Sequence, residues 1–559
     1  MILQPILDLV AICAAQGIRK VILSPGSRCA PLTLAFARHP EMEVRTISDE
    51  RSAAFIALGM AQLLKQPVVL VCTSGSAVLN YFPGLAEAFF QQIPLLVLTA
   101  DRPPEWVDQW DGQTIFQEEV YGKHVKKSFR FPDSFIHADQ LHHSHRIINE
   151  AIHLARQFPS GPVHINIPLR EPFYPEEGEV FHYPFPAPIV KVVPSAHQLS
   201  KASLDRLKEE LLGFRRILIV PGQQEGNPEL LAVIERLAAQ NQAVVVADVL
   251  SNLQGEGTIT LHDHWLGLEE LHPALVPDLV ISFGKSIISK SLKLFLRKQN
   301  ITHWHIQPDH QAKDTYSHLT QILGSEPLPF LLWLEGQLPR QSSGYVEGWR
   351  HLENRIAQGL PQALEDAGFG EYLAVKKVLD SLPEKSLLQV ANSMPIRYVN
   401  FLGRRKQELF CNRGTSGIDG SNSTAVGASW VSEVPVLLLT GDMAFFYDRN
   451  AFWHKYLIPN LRIVLLNNHA GGIFRLIDGP SKQPELEEFF ETQQALNASH
   501  LAAEYGFEYV LANSSQALDQ ALATFFEASA VPKILEIESQ SQLNAAILKQ
   551  VKAKLGFLL

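Results

Sequence analysis

The sequence contains no Cys-x-x-Cys pair, and its four cysteines, Cys13, Cys29, Cys72 and Cys411, stand far apart. That spacing excludes a cysteine-type zinc site and a disulfide framework, and it points to a reducing, cytoplasmic setting. Positive charge is also in short supply. With 48 Lys and Arg against 58 Asp and Glu, the net charge of −10 argues against a general nucleic-acid binder, whose phosphate contacts need a basic footprint. No apolar run is long enough for a bilayer, so no membrane span is expected. The opening MILQPILDLVAICAAQGI lacks a basic n-region and carries Asp8, so it reads as an amphipathic first helix of a domain and not as a signal peptide. Neither GxGxxG nor GxxxxGK[ST] occurs, which disfavours a nicotinamide enzyme.

What remains is a globular composition, 46% hydrophobic and 19% charged, over 559 residues, a length that suggests roughly three or four domains. Short β-branched runs alternate with helical stretches. In the first part these are VILSPGSR, VRTIS, PVVLVCTSGS and PLLVLTADRPP, then a last strand in PVHINIP and a Pro-rich connector to Val190. A second series carries RILIVPG, AVVVADV, PDLVISFGKS and HWHIQPD, and a third carries QVANSMPIR, LFCNRGTSGIDG, PVLLLTGD, RIVLLNN and KILEIES. Such βαβ grammar predicts an α/β protein of three doubly wound parallel-sheet domains, placed at 1–180, 195–340 and 365–559. The first and third share strands that stop at Gly, Ser, Asp or Asn.

Those stops carry the chemistry, because ligands of open α/β sheets bind at the carboxyl ends of strands. Asp442 follows Gly441 at one strand end, and Asn467 and Asn468 close the next, 26 residues on from Asp442 to Asn468. Aspartate, asparagine and a backbone carbonyl form an all-oxygen set for Mg²⁺, which completes its octahedron with waters and phosphates and so implies a diphosphate-bearing partner. The bland alternative is that Asp442 caps a helix and the asparagines turn a loop. Glu50, in SDERSAAFIALGMAQ, opens an apolar helix where an acid complements the helix dipole. Arg28 in SPGSR, Arg102 in TADRPPE, Arg397 in NSMPIR and Arg413 in CNRGTSGIDG all lie at strand ends. A cluster of guanidinium groups predicts substrates with more than one carboxylate.

The motifs SPGSRCAPLTLA, SDER, TSGSAVLNYFPGLAEA, LLVLTADRPPE, NRGTSGIDGSNSTAVG and NNHAGGIF together resemble the 2-succinyl-5-enolpyruvyl-6-hydroxy-3-cyclohexene-1-carboxylate (SEPHCHC) synthases, thiamine-diphosphate enzymes of menaquinone and phylloquinone biosynthesis. The resemblance implies a transferase that decarboxylates 2-oxoglutarate and adds the remaining four-carbon unit conjugately to isochorismate. It implies thiamine diphosphate with Mg²⁺, or Mn²⁺ in its place, in a homodimer or homotetramer whose active site lies at the dimer interface. Carried over by position, Glu50 activates the cofactor; Asp442, Asn468 and the Ala470 carbonyl hold the metal. Ser393, Ile418, Gly441 and Ile473 contact the cofactor as well. Ser27, Arg28, Arg102, Gln113, Lys290, Ser393, Arg397 and Arg413 match polar substrate positions, and Ile473, Phe474 and Ile477 match the apolar wall. Two residues depart from the common family pattern, His469 and Ala470 after the doubled asparagine.

Rival readings rest on less. Another thiamine-diphosphate 2-oxo acid decarboxylase or carboligase would share the cofactor motifs. A metal hydrolase could be imagined on His262, Asp263, His303 and His305, but it would want ligands from many strand ends of a barrel. His137, His142, His143, His145 and His153 read as a solvated helical surface. A non-catalytic cofactor-binding protein would be favoured by loss of Glu50 or Asp442, and both are present.

Overall fold

Strands apolar on both sides need cover on both faces, and this chain builds three all-parallel sheets that helices cover. The computed structural model describes residues 4–193, 197–267, 272–309, 311–338 and 343–557. The first sheet contains β1 (Lys20–Leu23), β2 (Glu43–Thr46), β3 (Val68–Cys72), β4 (Leu95–Asp101), β5 (Ser128–Arg130) and β6 (Val163–Pro168), in the order β2-β1-β3-β4-β6-β5. The middle sheet, β7 (Ile217–Pro221), β8 (Val244–Val245), β9 (Leu279–Phe283), β10 (Thr302–Ile306) and β11 (Leu319–Leu323), runs β11-β10-β9-β7-β8. The third contains β12 (Leu387–Val390), β13 (Glu408–Phe410), β14 (Val436–Gly441), β15 (Leu461–Asn467), β16 (Glu508–Ala512) and β17 (Lys533–Glu538), in the order β13-β12-β14-β15-β17-β16. Counted from its own first strand, each outer sheet winds identically.

Three differences from the sequence reading have physical causes. The first helix, Gln4–Ala15, is buried on every side from Pro5 to Ala14 and so is not amphipathic; its one charge, Asp8, is compensated by His145 at 2.8 Å and by the Gln4 amide at 2.8 Å. AVVVADV makes only a two-residue strand, because after Val245 the chain leaves the ladder and Val246 bridges Ile259 instead. The interval between the second and third expected domains holds a 25-residue helix, Ser343–Ala367. Its Trp349 is buried and donates to the Leu275 carbonyl at 3.0 Å, and its apolar face lies in one core continuous from β7 and β9 to β14 and β15.

The first and third domains meet through two helices, Glu50–Leu64 and Ser421–Val431. A Cβ on Gly59 would run into the Thr424 carbonyl and one on Gly427 into the Ile56 carbonyl, so both glycines are needed for backbones to touch. Beside them the buried Glu87 carboxylate accepts from Gly414 N at 2.7 Å and from Thr415 N at 2.6 Å, fixing the loop that bears Arg413.

Candidate functional site

The carboxyl end of the third sheet gathers the proposed metal ligands. β14 stops at Gly441, and Asp442, 2% exposed, opens the short helix Asp442–Tyr447. Its Oδ2 accepts from the Gln494 amide at 2.8 Å, and burial raises its pKa to about 6. The two asparagines divide their work. Asn467 is committed to structure, donating to Glu536 at 2.6 Å and to the Leu496 carbonyl at 2.9 Å. Asn468 donates from Nδ2 to Glu371 at 2.6 Å and accepts at Oδ1 from Ala470 N at 3.1 Å. His469 takes a φ of 60°, which turns the chain so that the buried Ala470 faces the same end, and the Ala470 carbonyl accepts from Gly472 N at 2.9 Å.

Glu371 escaped the sequence reading. An acid in the first turn of a helix looks like dipole compensation, yet this one is 1% exposed and reaches across to Asn468. Burial, with Asp442 nearby, raises its pKa to about 7. Gln494 gave no signal either, since nothing in ETQQALN marks one glutamine over the other. The Asp442 carboxylate, the Asn468 amide oxygen and the Ala470 carbonyl are an oxygen donor set for a hard divalent cation, and Glu371 adds a second buried carboxylate bonded to Asn468.

Next to this anionic end lies a cationic one. Arg397 donates to its own helix's Ser393 carbonyl at 2.6 Å, and Ser393 enters that helix at φ 71°. Arg413 donates to Asn392 at 3.0 Å while its buried Nε has no partner. Neither arginine makes an ion pair among the described residues. Burial lowers the Arg397 pKa, and Arg413 lowers it further. Lys290 is exposed at the start of the helix Lys290–Lys298, whereas Lys293, one turn on, is the lysine whose charge is felt by the arginines: burial and then Arg413 depress its pKa. Ile418 stands exposed on the glycine-rich loop, whereas Ile473 is partly buried against the shared core. Phe474 packs on Phe490 at 5.8 Å and Ile477 stays exposed. This wall is clipped shut by Gly471 N to the Glu491 carbonyl at 2.7 Å and by Arg475, which pairs with buried Glu491 at 2.6 Å and donates to Ser541 at 3.0 Å.

At the carboxyl end of the first sheet, Arg28 stacks on Phe173 at 4.6 Å and donates to the Leu169 carbonyl at 2.9 Å; its buried Nε is unpartnered. Arg102 lies close enough to lower the Arg28 pKa, after burial. Arg102 itself is fully engaged, with Asp111 at 2.8 Å, Ser74 at 2.8 Å and the Gly112 carbonyl at 2.5 Å. Ser27 and Gln113 are exposed, and the Gln113 backbone packs against Gly75, whose φ of 82° favours glycine. Glu50 is half-buried at the first turn of its helix, with Asp49 as the N-cap accepting from Arg51 N and Ser52 N. Within the chain its carboxylate makes no hydrogen bond or ion pair among the described residues, and it is not joined to Asp442 or Asn468.

The histidines serve the fold. His303 and His305 share the Ser282 hydroxyl at 2.7 and 2.8 Å, His264 bonds the Phe401 carbonyl at 2.8 Å, and burial lowers the pKa of His303 and His264 to about 4. His137 caps the helix Ala138–Arg156, and His145 is tied to Asp8, so that segment is not wholly a solvated surface.

Comparison with known proteins agrees with this layout. Residues 8–125 match the N-terminal TPP binding domain of thiamine pyrophosphate enzymes, residues 197–390 their middle domain and residues 393–537 their C-terminal TPP binding domain. The chain is 46% identical to the SEPHCHC synthase of Cytophaga hutchinsonii over 98% of both chains, and 38% identical to that of Flavobacterium johnsoniae over 97% of both. It is 36% identical to the enzyme of the same name from Porphyromonas gingivalis, over 96% of this chain and 94% of the other. With three thiamine-diphosphate enzyme domains in sequence and such identity along nearly its whole length, the chain belongs to the SEPHCHC synthase family of thiamine-diphosphate enzymes.

Proposed function

We propose that this chain is a SEPHCHC synthase of menaquinone biosynthesis, joining the four-carbon remainder of 2-oxoglutarate to isochorismate with loss of CO₂. The observation that carries the site assignment is buried Asp442 and part-buried Asn468 after the adjacent strands β14 and β15, in the same domain as Arg397 and Arg413, which make no ion pair among the described residues. Asp442, Asn468 and the Ala470 carbonyl would hold Mg²⁺ against the diphosphate, and Gly441 leaves the backbone open to close approach. Bound thiamine diphosphate supplies a carbon nucleophile and an electron sink for the 2-oxo acid. Glu50 holds and moves a proton at the aminopyrimidine ring nitrogen. Ile418 and Ile473 would offer the cofactor apolar surface, and Ser393, at the start of its helix, a hydroxyl.

Arg397, Arg413 and Lys290 are assigned to the donor's carboxylates, with Lys293 as a nearer alternative to Lys290. Ser27, Arg28, Arg102 and Gln113 are assigned to the acceptor, against the wall of Ile473, Phe474 and Ile477. Glu50 and Asp442 share no hydrogen bond among the described residues, and a site completed between two copies would take Glu50 from one and Asp442 from the other. Sedimentation showing a fully active monomer would reject that arrangement.

An assay of CO₂ release and adduct formation with 2-oxoglutarate and isochorismate, with and without Mg²⁺ and thiamine diphosphate, tests the whole. Turnover should need all four. Pyruvate lacks the distal carboxylate and leaves a desolvated guanidinium unpaired, a cost of roughly 2–5 kcal/mol, so it should be used on the order of a hundredfold less well or worse. Equal use of pyruvate would replace this assignment with a general 2-oxo acid carboligase.

A further inference from the structure

Asn468 can serve a cation with only one end of its amide. Oxygen and nitrogen are alike in size, so what decides the orientation is which groups meet them. Here Nδ2 donates to Glu371 Oε1 at 2.6 Å while Oδ1 accepts from Ala470 N at 3.1 Å. Turning the amide over would set Oδ1 against a carboxylate and Nδ2 against an N–H, two repulsive contacts in place of two bonds.

Glu371 is held as firmly as the residue it holds. Its backbone N donates to Asn544 Oδ1 at 3.0 Å, its carboxylate is hydrogen-bonded by Tyr398, and Tyr398 stacks on Tyr372 with centroids 5.4 Å apart. The preceding Gly370 lies tight on the last helix, where a Cβ would come within 3.0 Å of Asn544 Oδ1 and closer to Ile547. That approach is what carries the first turn of the helix Glu371–Asp380 into the site. The carboxylate does not cap its own helix; the N-cap is Gly370, with no side-chain bond.

We propose that Glu371 is a positioning residue for the metal site, orienting the Asn468 amide so that its oxygen faces the cation. The proposal rests on Asn468 being a ligand. Outer partners of this kind typically govern metal affinity by 10–100-fold. Mg²⁺ titrated calorimetrically into the full chain saturated with thiamine diphosphate should bind about 10–100-fold more weakly to Glu371→Ala than to the wild type. Glu371→Gln should fall between, because its own amide can present either end. Raised Mg²⁺ should restore kcat in both variants, a rescue that a merely structural defect would not give, and the metal-free melting temperature of Glu371→Gln should stay near that of the wild type. Tyr398→Phe, which loosens the carboxylate without removing it, should show a smaller drop and stands in if Glu371→Ala does not fold. Normal Mg²⁺ affinity in Glu371→Gln and Tyr398→Phe, with affinity lost in Asn468→Ala, would overturn this proposal alone. Normal affinity in Asn468→Ala would overturn the ligand assignment and this proposal with it.

Discussion

The first and third domains wind their six strands in the same order, yet their strand ends do opposite work. In the third, Asp442 and Glu371 are buried acids with raised pKa values, and Arg397 and Arg413 have no ion pair among the described residues. In the first, Arg102 already has Asp111, and Glu50 stands half-buried with no hydrogen bond from its carboxylate among the described residues. Among the described residues the third domain holds buried acids and two arginines without an ion pair, and the first pairs Arg102 with Asp111 and leaves the Glu50 carboxylate without a hydrogen bond. Fold alone therefore does not decide function here; the few residues after each strand do.

The largest effects should separate Glu50 from Asp442. Glu50→Gln keeps the shape of the pocket and loses the proton, so kcat should drop by about 10²–10⁴ while affinity for thiamine diphosphate is unchanged. Exchange of the reactive proton on the bound cofactor, followed by NMR, should slow in parallel. Asp442→Ala removes the one anionic ligand and should instead abolish retention of Mg²⁺ and cofactor during gel filtration. If the two variants shared one phenotype, the division of labour between the domains would be wrong. A smaller contrast lies in the arginines. Arg397 has no carboxylate partner among the described residues, so Arg397→Ala should raise the KM for 2-oxoglutarate by about a hundredfold, equivalent to ~3 kcal/mol. Arg102 is already paired with Asp111, and Arg102→Ala should raise the KM for isochorismate by about tenfold with less effect on 2-oxoglutarate.

These contrasts depend on residues of unequal visibility in the sequence. Asp442 and Asn468 stand out in the sequence because each follows an apolar strand, where ligands of open sheets bind, whereas Glu50 is singled out only by the family motif SDER, since an acid at a helix start also serves the dipole. The three sheets are legible in their apolar runs, except for the strands β5, β11 and β16, which lie at sheet edges and are short and partly exposed. Glu371 is not legible, since it meets Asn468 only through a contact spanning 97 residues. Lys290 and Lys293 differ by one helical turn, and only the packed helix tells which is felt by Arg397 and Arg413. The shared core of middle and third domains was hidden too, because the helix around Trp349 reads as a connector until its partner surfaces are known.

A further contrast gives the two matching domains opposite responses to acid. In the first, His164 on β6 is fully buried between Thr99 at 2.7 Å and Ser128 at 3.3 Å, and burial lowers its pKa to about 3. The unfolded chain takes up that proton below about pH 6.5 and the folded chain does not, so the fold loses ~1.4 kcal/mol per unit as pH falls, or ~2 kcal/mol between pH 6.5 and 5. In the third, Asp448 is fully buried, accepting from Ser423 N at 2.7 Å and Ser423 Oγ at 2.9 Å, and burial raises its pKa to about 7. Here the folded chain keeps a proton that the unfolded chain releases above its ordinary 3.8, so the same acidification restores ~2 kcal/mol. Hydrogen-exchange protection factors should therefore fall for β6 and rise for the helix Ser421–Val431 when pH goes from 6.5 to 5. His164→Gln should flatten the first response and Asp448→Asn the second, each without touching the other. A shift of the same sign in both regions would mean that these two buried groups do not govern how the domains answer pH.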